Sequence, residues 1–187
     1  MQEATGATLV HPYVDPRVIA GQGTAALELL NRRAPFDAVV VPVGGGGLAA
    51  GTAIAVAALS ATTRVYVAEP SGAAETFASL QRGERVTEFT PDTVCDGLRG
   101  TLGAPNFKLL RHYGVEALTV DDADTLVAMR LLWERSKQPV EPSSAIALAA
   151  VLQHRQRFAG QRVGIILSGG NLDLAALPQL FAPAASA

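Results

Sequence analysis

Lysine is nearly missing from this chain: of its 15 basic side chains, only Lys108 and Lys137 are lysines. Acidic and basic residues are interspersed and sum to a formal charge of −2, so no basic face is offered to nucleic acid and no polybasic run to an anionic membrane. A single cysteine, Cys95, excludes an internal disulfide, and with no paired Cys or His beside it no zinc site is spelled out. Cys95 therefore reads as a buried apolar filler in a protein of the reducing cytoplasm. No apolar run approaches the roughly 20 residues of a membrane-spanning helix, and residues 1–9 have neither the basic start nor the apolar stretch of a secretory leader. What remains is a chain of 187 residues, 49% hydrophobic and 17% charged, enough to close one core and too short to promise a second. One soluble domain with a small-molecule ligand is the expectation.

The hydrophobic pattern alternates between helical and strand periods. Ile19, Ala26, Leu27 and Leu30 return at helical spacing across residues 15–33, with Asp15 as N-cap, Pro16 at the first helical position and Pro35 as the stop. Residues 37–43 are a short β-branched run without polar alternation, the pattern of a strand covered on both faces. Glycines break it, and residues 48–59 follow as an Ala-rich helix. The alternation continues through a strand at 64–68, a helix at 72–82, a strand at 114–120, helices at 121–136 and 144–158, and a strand at 163–167 ending in the turn Ser168-Gly169-Gly170-Asn171. Strands alternating with helices imply right-handed crossovers, which predicts an α/β fold with a mostly parallel, doubly wound sheet flanked by helices. Ligands gather at the carboxyl ends of such strands. The Ala- and Pro-rich tail beyond Leu180 is expected to fray.

The strongest local signal is Pro42-Val43-Gly44-Gly45-Gly46-Gly47-Leu48, a strand running through four glycines into a helix. Without Cβ atoms, consecutive N–H groups can close around an anion while the helix amino terminus adds its partial positive charge. A turn serving only packing is the plainer reading. A sharper rival is a dinucleotide site, because Gly44, Gly46 and Ala49 fit G-x-G-x-x-[GA] and Glu69 follows at the distance of a ribose-binding acid. The loop alone does not separate these ligands. His11, beside Pro12, reads as structural.

Two further turns separate them: Glu141-Pro142-Ser143-Ser144-Ala145 opens one helix, and Ser168-Gly169-Gly170-Asn171 closes one strand, a turn for which the dinucleotide fingerprint gives no reason. With the tetraglycine they make the chain resemble the fold type II pyridoxal-phosphate (PLP) enzymes, and within them the serine/threonine dehydratases and serine racemases. The similarity also runs through His11-Pro12, Ile19-Ala20-Gly21-Gln22-Gly23-Thr24, Ala68-Glu69-Pro70-Ser71, Asp96-Gly97-Leu98 and Trp133-Glu134-Arg135. It implies the large-domain fold of that family, which is tryptophan synthase beta-like. It implies further that the N–H groups of Gly44, Gly45, Gly46, Gly47 and Leu48 bind the cofactor phosphate, and that the Ser168 hydroxyl, next to Gly169, meets the pyridine nitrogen. Gly97 and Glu141 then lie beside the cofactor, although either residue also suits a helix terminus. A neutral hydroxyl holds no proton on the ring nitrogen as a carboxylate would, so elimination and racemisation are favoured over transamination. The resemblance also makes Glu69, the backbone carbonyl of Ala73, and Glu75 a site for magnesium or calcium, cations that prefer oxygen ligands. Here the chain departs from the racemases, which carry a shorter Asp where Glu75 stands.

Members of the family hold PLP through a Schiff-base lysine, and neither Lys108 nor Lys137 stands in the family's lysine motif. The expected chain is thus a single partial domain, residues 1–187, whose amino-terminal part and small domain with the catalytic lysine are absent. Its parent reaction is elimination from L-threonine or L-serine to a 2-oxo acid and ammonia. Serine racemisation is the near alternative, a catalytically inactive PLP- or anion-binding module the next, and an NAD(P)-binding domain the remotest. The partners implied are a small amino-acid substrate, the missing half, and further copies in a homo-oligomer once intact. No appended regulatory domain is expected.

Overall fold

A computed structural model describes residues 5–33 and 35–182. Its helices are α1 (Pro16–Gln22), α2 (Thr24–Arg33), α3 (Gly47–Leu59), α4 (Glu75–Arg82), α5 (Ala104–His112), α6 (Asp122–Leu131), α7 (Pro142–Gln153) and α8 (Leu177–Leu180). Strands β1 (Ala38–Pro42), β2 (Arg64–Pro70), β3 (Glu116–Val120) and β4 (Val163–Ile165) pair in parallel throughout, in the order β3-β2-β1-β4. Every residue of β1 is buried, as its unbroken apolar run demands.

Because side chains alternate across a strand, β1 feeds two cores. Val39, Val41 and Val43 pack with Ala26 and Leu30 of α2, Ala49 and Ala53 of α3, and Leu110 of α5. Ala38 and Val40 face the other way, against Tyr66, Ala128 of α6, and Ile146 and Ala147 of α7. Helices thus cover both faces. The chain builds outward from β1 through β2 to β3, then returns to lay β4 on the opposite side of β1. The strand order reverses between β1 and β4, and a crevice opens beyond the carboxyl ends of those two strands.

Several boundaries differ from expectation for local reasons. The helix expected at 15–33 is interrupted at Gly23, where a Cβ would lie 2.7 Å from the Gly51 carbonyl oxygen; the two backbones touch where the segment crosses α3. The helix expected from residue 72 begins at Glu75, after a short turn at Ser71–Ala73 whose Gly72 carbonyl accepts from Asp92 N–H at 2.8 Å. The helix expected to Ser136 stops at Leu131 and widens through Leu132–Ser136 until Lys137, at φ 55, ends it. α7 starts at Pro142 and ends at Gln153 rather than running 144–158. Helix α5 was not anticipated, although Pro105 in its first turn is a start signal. No helix among the described residues is long and apolar enough to cross a membrane. Of the tail expected to fray, Phe181 stacks edge-on against Trp133, and residues 183–187, like residues 1–4 of the amino-terminal reading, lie outside the described residues.

Candidate functional site

The glycine loop sits at the mouth of that crevice. Gly46 caps α3 with φ 86 and ψ 2, in the left-handed region that glycine alone enters without strain. Among the described residues no acceptor serves the N–H groups of Gly45, Gly46, Gly47, Leu48 or Ala49, so five successive donors are left at the positive end of a helix. Facing them is a cavity of about 190 Å³ walled by Tyr13, Gly97, Leu98 and Ser168 as well as the loop itself. No ionised side chain lines it. An anion there would be held by backbone dipoles alone, and the loop leaves room for little else: a Cβ on Gly45 would lie 2.4 Å from the Tyr13 ring.

The first turn of α7 ties the opposing walls together. Ser143 and Ser144 are buried, at 2% and 0% exposure. Ser143 Oγ accepts from Gly97 N–H at 3.0 Å, and Ser144 Oγ accepts from Ser168 N–H at 2.9 Å. Glu141 Oε2 accepts from Asn171 N–H at 2.7 Å, and Gly169 comes so close that a Cβ would lie 2.9 Å from Glu141 Oε1. Glu141 and Gly169 therefore stand behind the Ser168 turn rather than on the cavity wall. Gly97 reaches the wall with its backbone, and its N–H is shared between Ser143 and Asp96 Oδ1. The Ser168 hydroxyl has no partner among the described residues and lines the cavity. His11 supports the wall on the other side, its ring edge-on to Tyr13 at 4.6 Å. Sequence reasoning assigned no role to Tyr13, Asn106, Ser143 or Ser144. The two serines alone left a signal, as small hydroxyl residues in the first turn after Pro142.

Glu69, at the end of β2, is 1% exposed, and its two oxygens accept from the Thr76 and Phe77 N–H groups at 2.8 Å each. It caps α4 and is not turned outward to a ribose, which removes the acid that the dinucleotide reading needs. Glu75 Oε1 accepts from Leu102 N–H at 2.9 Å, while its buried Oε2 has no partner. Burial in a low-dielectric surrounding pushes the Glu69 carboxyl up to about 8 and that of Glu75 to about 7. No cluster of three His, Cys, Asp or Glu side chains suited to a metal occurs among the described residues. Cys95 is fully buried, and desolvation pushes its thiol up to about 12, as befits a core filler.

These carboxyls set a pH dependence. The folded chain keeps their protons above 4.5, where the unfolded chain loses them, so their stabilisation is full below that pH and lost as pH rises through about 7 and 8. Glu75→Gln cannot ionise yet still offers Leu102 N–H an acceptor. Its melting temperature is expected to fall less than the parent's between about pH 5 and pH 8, the gap reaching on the order of 5 °C, roughly 2 kcal/mol. Parallel melting curves for the two proteins would refute the assignment.

A parallel α/β domain with an uncapped glycine-loop helix at its topological switch point defines a binder of phosphate-bearing cofactors. The family described as pyridoxal-phosphate dependent enzyme matches residues 1–169. Over 178 residues the chain is 44% identical to a beta-hydroxyaspartate dehydratase of Paracoccus denitrificans, covering 95% of this chain and 56% of that protein. Over 181 residues it is 45% identical to the serine racemase of Mus musculus, covering 95% and 53%. The structure of maize serine racemase superimposes with a TM-score of 0.89 at 40% identity, covering 95% of this chain and 56% of that one. The crystal structure of a bacterial-type threonine deaminase, that of T.th., does so with a TM-score of 0.88 at 49% identity, covering 92% and 65%. This chain belongs to the pyridoxal-phosphate-dependent enzyme family, and its sheet and helices are those of fold type II members such as serine racemase and threonine deaminase. It spans about half the length of the curated relatives it matches.

Proposed function

We propose that the chain is the phosphate-binding, large-domain portion of a PLP-dependent ammonia-lyase that acts on L-threonine or L-serine. The observation that carries this reading is the row of five unpartnered N–H groups across the cavity from the free Ser168 hydroxyl. The geometry fits the cofactor: the cradle takes a phosphate only because glycine leaves the space that a Cβ would fill. Bound PLP supplies an electron sink that labilises the bonds at the amino acid's α-carbon. Gly44 to Leu48 hold the phosphate, and the Ser168 hydroxyl orients the pyridine nitrogen without protonating it. Ser144 keeps Ser168 at that wall, and Ser143 keeps Gly97 there.

Names of relatives support both elimination and racemisation, since a hydroxyaspartate dehydratase and a serine racemase match almost equally well. Racemisation of serine is the second reading. The lysine that holds the cofactor belongs, in this proposal, to the amino-terminal half of the intact enzyme, because Lys108 and Lys137 are both exposed and neither lines the cavity. Glu69, Glu75 and the Ala73 carbonyl form the proposed magnesium or calcium site, supported by the orphaned Glu75 Oε2, an oxygen that a hard cation would satisfy. Magnesium or calcium then raises the melting temperature of the chain and not that of Glu75→Gln.

Thermal denaturation with increasing PLP, inorganic phosphate or NAD tests the central reading, since a ligand of the native state alone raises stability once its concentration passes its dissociation constant. PLP and phosphate are expected to stabilise the chain and NAD to leave it unchanged. Stabilisation by NAD, or by none of the three, would sink the proposal.

A further inference from the structure

The structure assigns a positioning role to Asn106: its side-chain amide sets the direction in which the Gly46 N–H points into the phosphate cradle. The inference rests on the cradle reading above. Asn106 is the third residue of α5 and is fully buried. Its Nδ2 donates to the Gly45 carbonyl at 2.6 Å and to the Tyr13 carbonyl at 2.8 Å. The Gly45 carbonyl accepts a second bond from Gly103 N–H at 3.0 Å. A trans peptide is planar, so the Gly45 C=O and the Gly46 N–H belong to one rigid unit and point in opposite directions. Two donors that draw the carbonyl toward α5 therefore turn the Gly46 N–H away from it.

That lock is needed because of what makes the loop a cradle. Between successive glycines no Cβ resists rotation of the peptide, and Gly46, at φ 86, occupies a conformation that glycine leaves as readily as it enters. The second hydrogen of the same amide holds the Tyr13 carbonyl, and with it the ring that lies on the open side of Gly45. One side chain thus fixes a donor of the cradle and a wall of the cavity. Packing alone does not account for an asparagine here. Its Oδ1 is buried without a partner, a desolvation cost that leucine would avoid. The two carbonyl oxygens also dictate the orientation of the amide, because reversing it would set oxygen against oxygen.

The test uses the chain itself with inorganic phosphate as the probe. Asn106→Leu removes both donors, and Asn106→Asp sets an oxygen against the two carbonyls. Each is expected to weaken phosphate binding at least tenfold, measured by calorimetry. In amide NMR spectra, the Gly46 resonance should shift on phosphate addition in the parent chain, and should be displaced and unresponsive in the variants. A residue that served only stability would lower the melting temperature without moving that resonance. Folded Asn106→Leu with parental phosphate affinity and a parental Gly46 response would overturn this inference alone. If neither variant folds, the parent decides: phosphate that shifts Gly47 and Leu48 but not Gly46 rules the assignment out. A parent that binds no phosphate at all would overturn the cradle and this inference together.

Discussion

Replacing Gly46 with valine abolishes binding of PLP and of inorganic phosphate while the sheet stays folded. Gly46 sits at φ 86, where a β-branched residue carries backbone strain of roughly 1–3 kcal/mol. Its Cβ would also lie 2.4 Å from Leu102 Cδ1 and 3.0 Å from Asn106 Cβ. Leu102 cannot simply withdraw, since it is fully buried and its N–H is bound to Glu75. The strain is most easily relieved by turning the loop out of the left-handed region, which redirects the N–H groups of Gly46 and Gly47 away from the cavity. The expected loss of affinity is a hundredfold or more, equivalent to about 3 kcal/mol. Calorimetric titration with phosphate, beside far-ultraviolet circular dichroism to check the fold, gives the answer. A folded variant with parental affinity would mean that the anion binds elsewhere.

Mixing the chain with PLP and then borohydride should fix no stoichiometric adduct at any one residue, and the chain alone should not deaminate threonine or serine. A lysine becomes a useful nucleophile when burial or a neighbouring cation favours its neutral amine. Neither lysine here has such a setting. Lys108 lies exposed on α5, and Lys137 is exposed with its Nζ donating to the Glu134 carbonyl at 2.7 Å. PLP should therefore bind reversibly, through its phosphate. An amino-terminal half from a relative, supplied as a separate polypeptide, should restore the reducible linkage and some turnover. A single reduced adduct mapped to Lys108 or Lys137, together with deamination by the chain alone, would refute the proposal that the lysine lies in the other half.

Much of the fold was legible because its cause is local. The buried run of residues 37–43 announced β1, and the tetraglycine announced both the turn after it and the helix after that. Errors came where a distant contact decided the outcome. The first helix breaks at Gly23 because α3 presses its Gly51 backbone against it, and the fourth begins at Glu75 because the Glu69 carboxylate takes the Thr76 and Phe77 N–H groups. At the site, the cradle and Ser168 were found from sequence, whereas Glu141 proved to brace the Ser168 turn from behind.

By itself, then, the sequence determined the alternating α/β architecture, the position of the anion cradle and the family, since periodicity, glycine turns and motif order are written in neighbouring residues. Tertiary structure alone decided what holds the cradle in shape. Asn106 meets Gly45 across 61 positions of chain, Ser143 meets Gly97 across 46, and Ser144 meets Ser168 across 24. Such pairs leave no period to read, because each exists only once the parallel sheet has brought the carboxyl ends of β1 and β4 side by side.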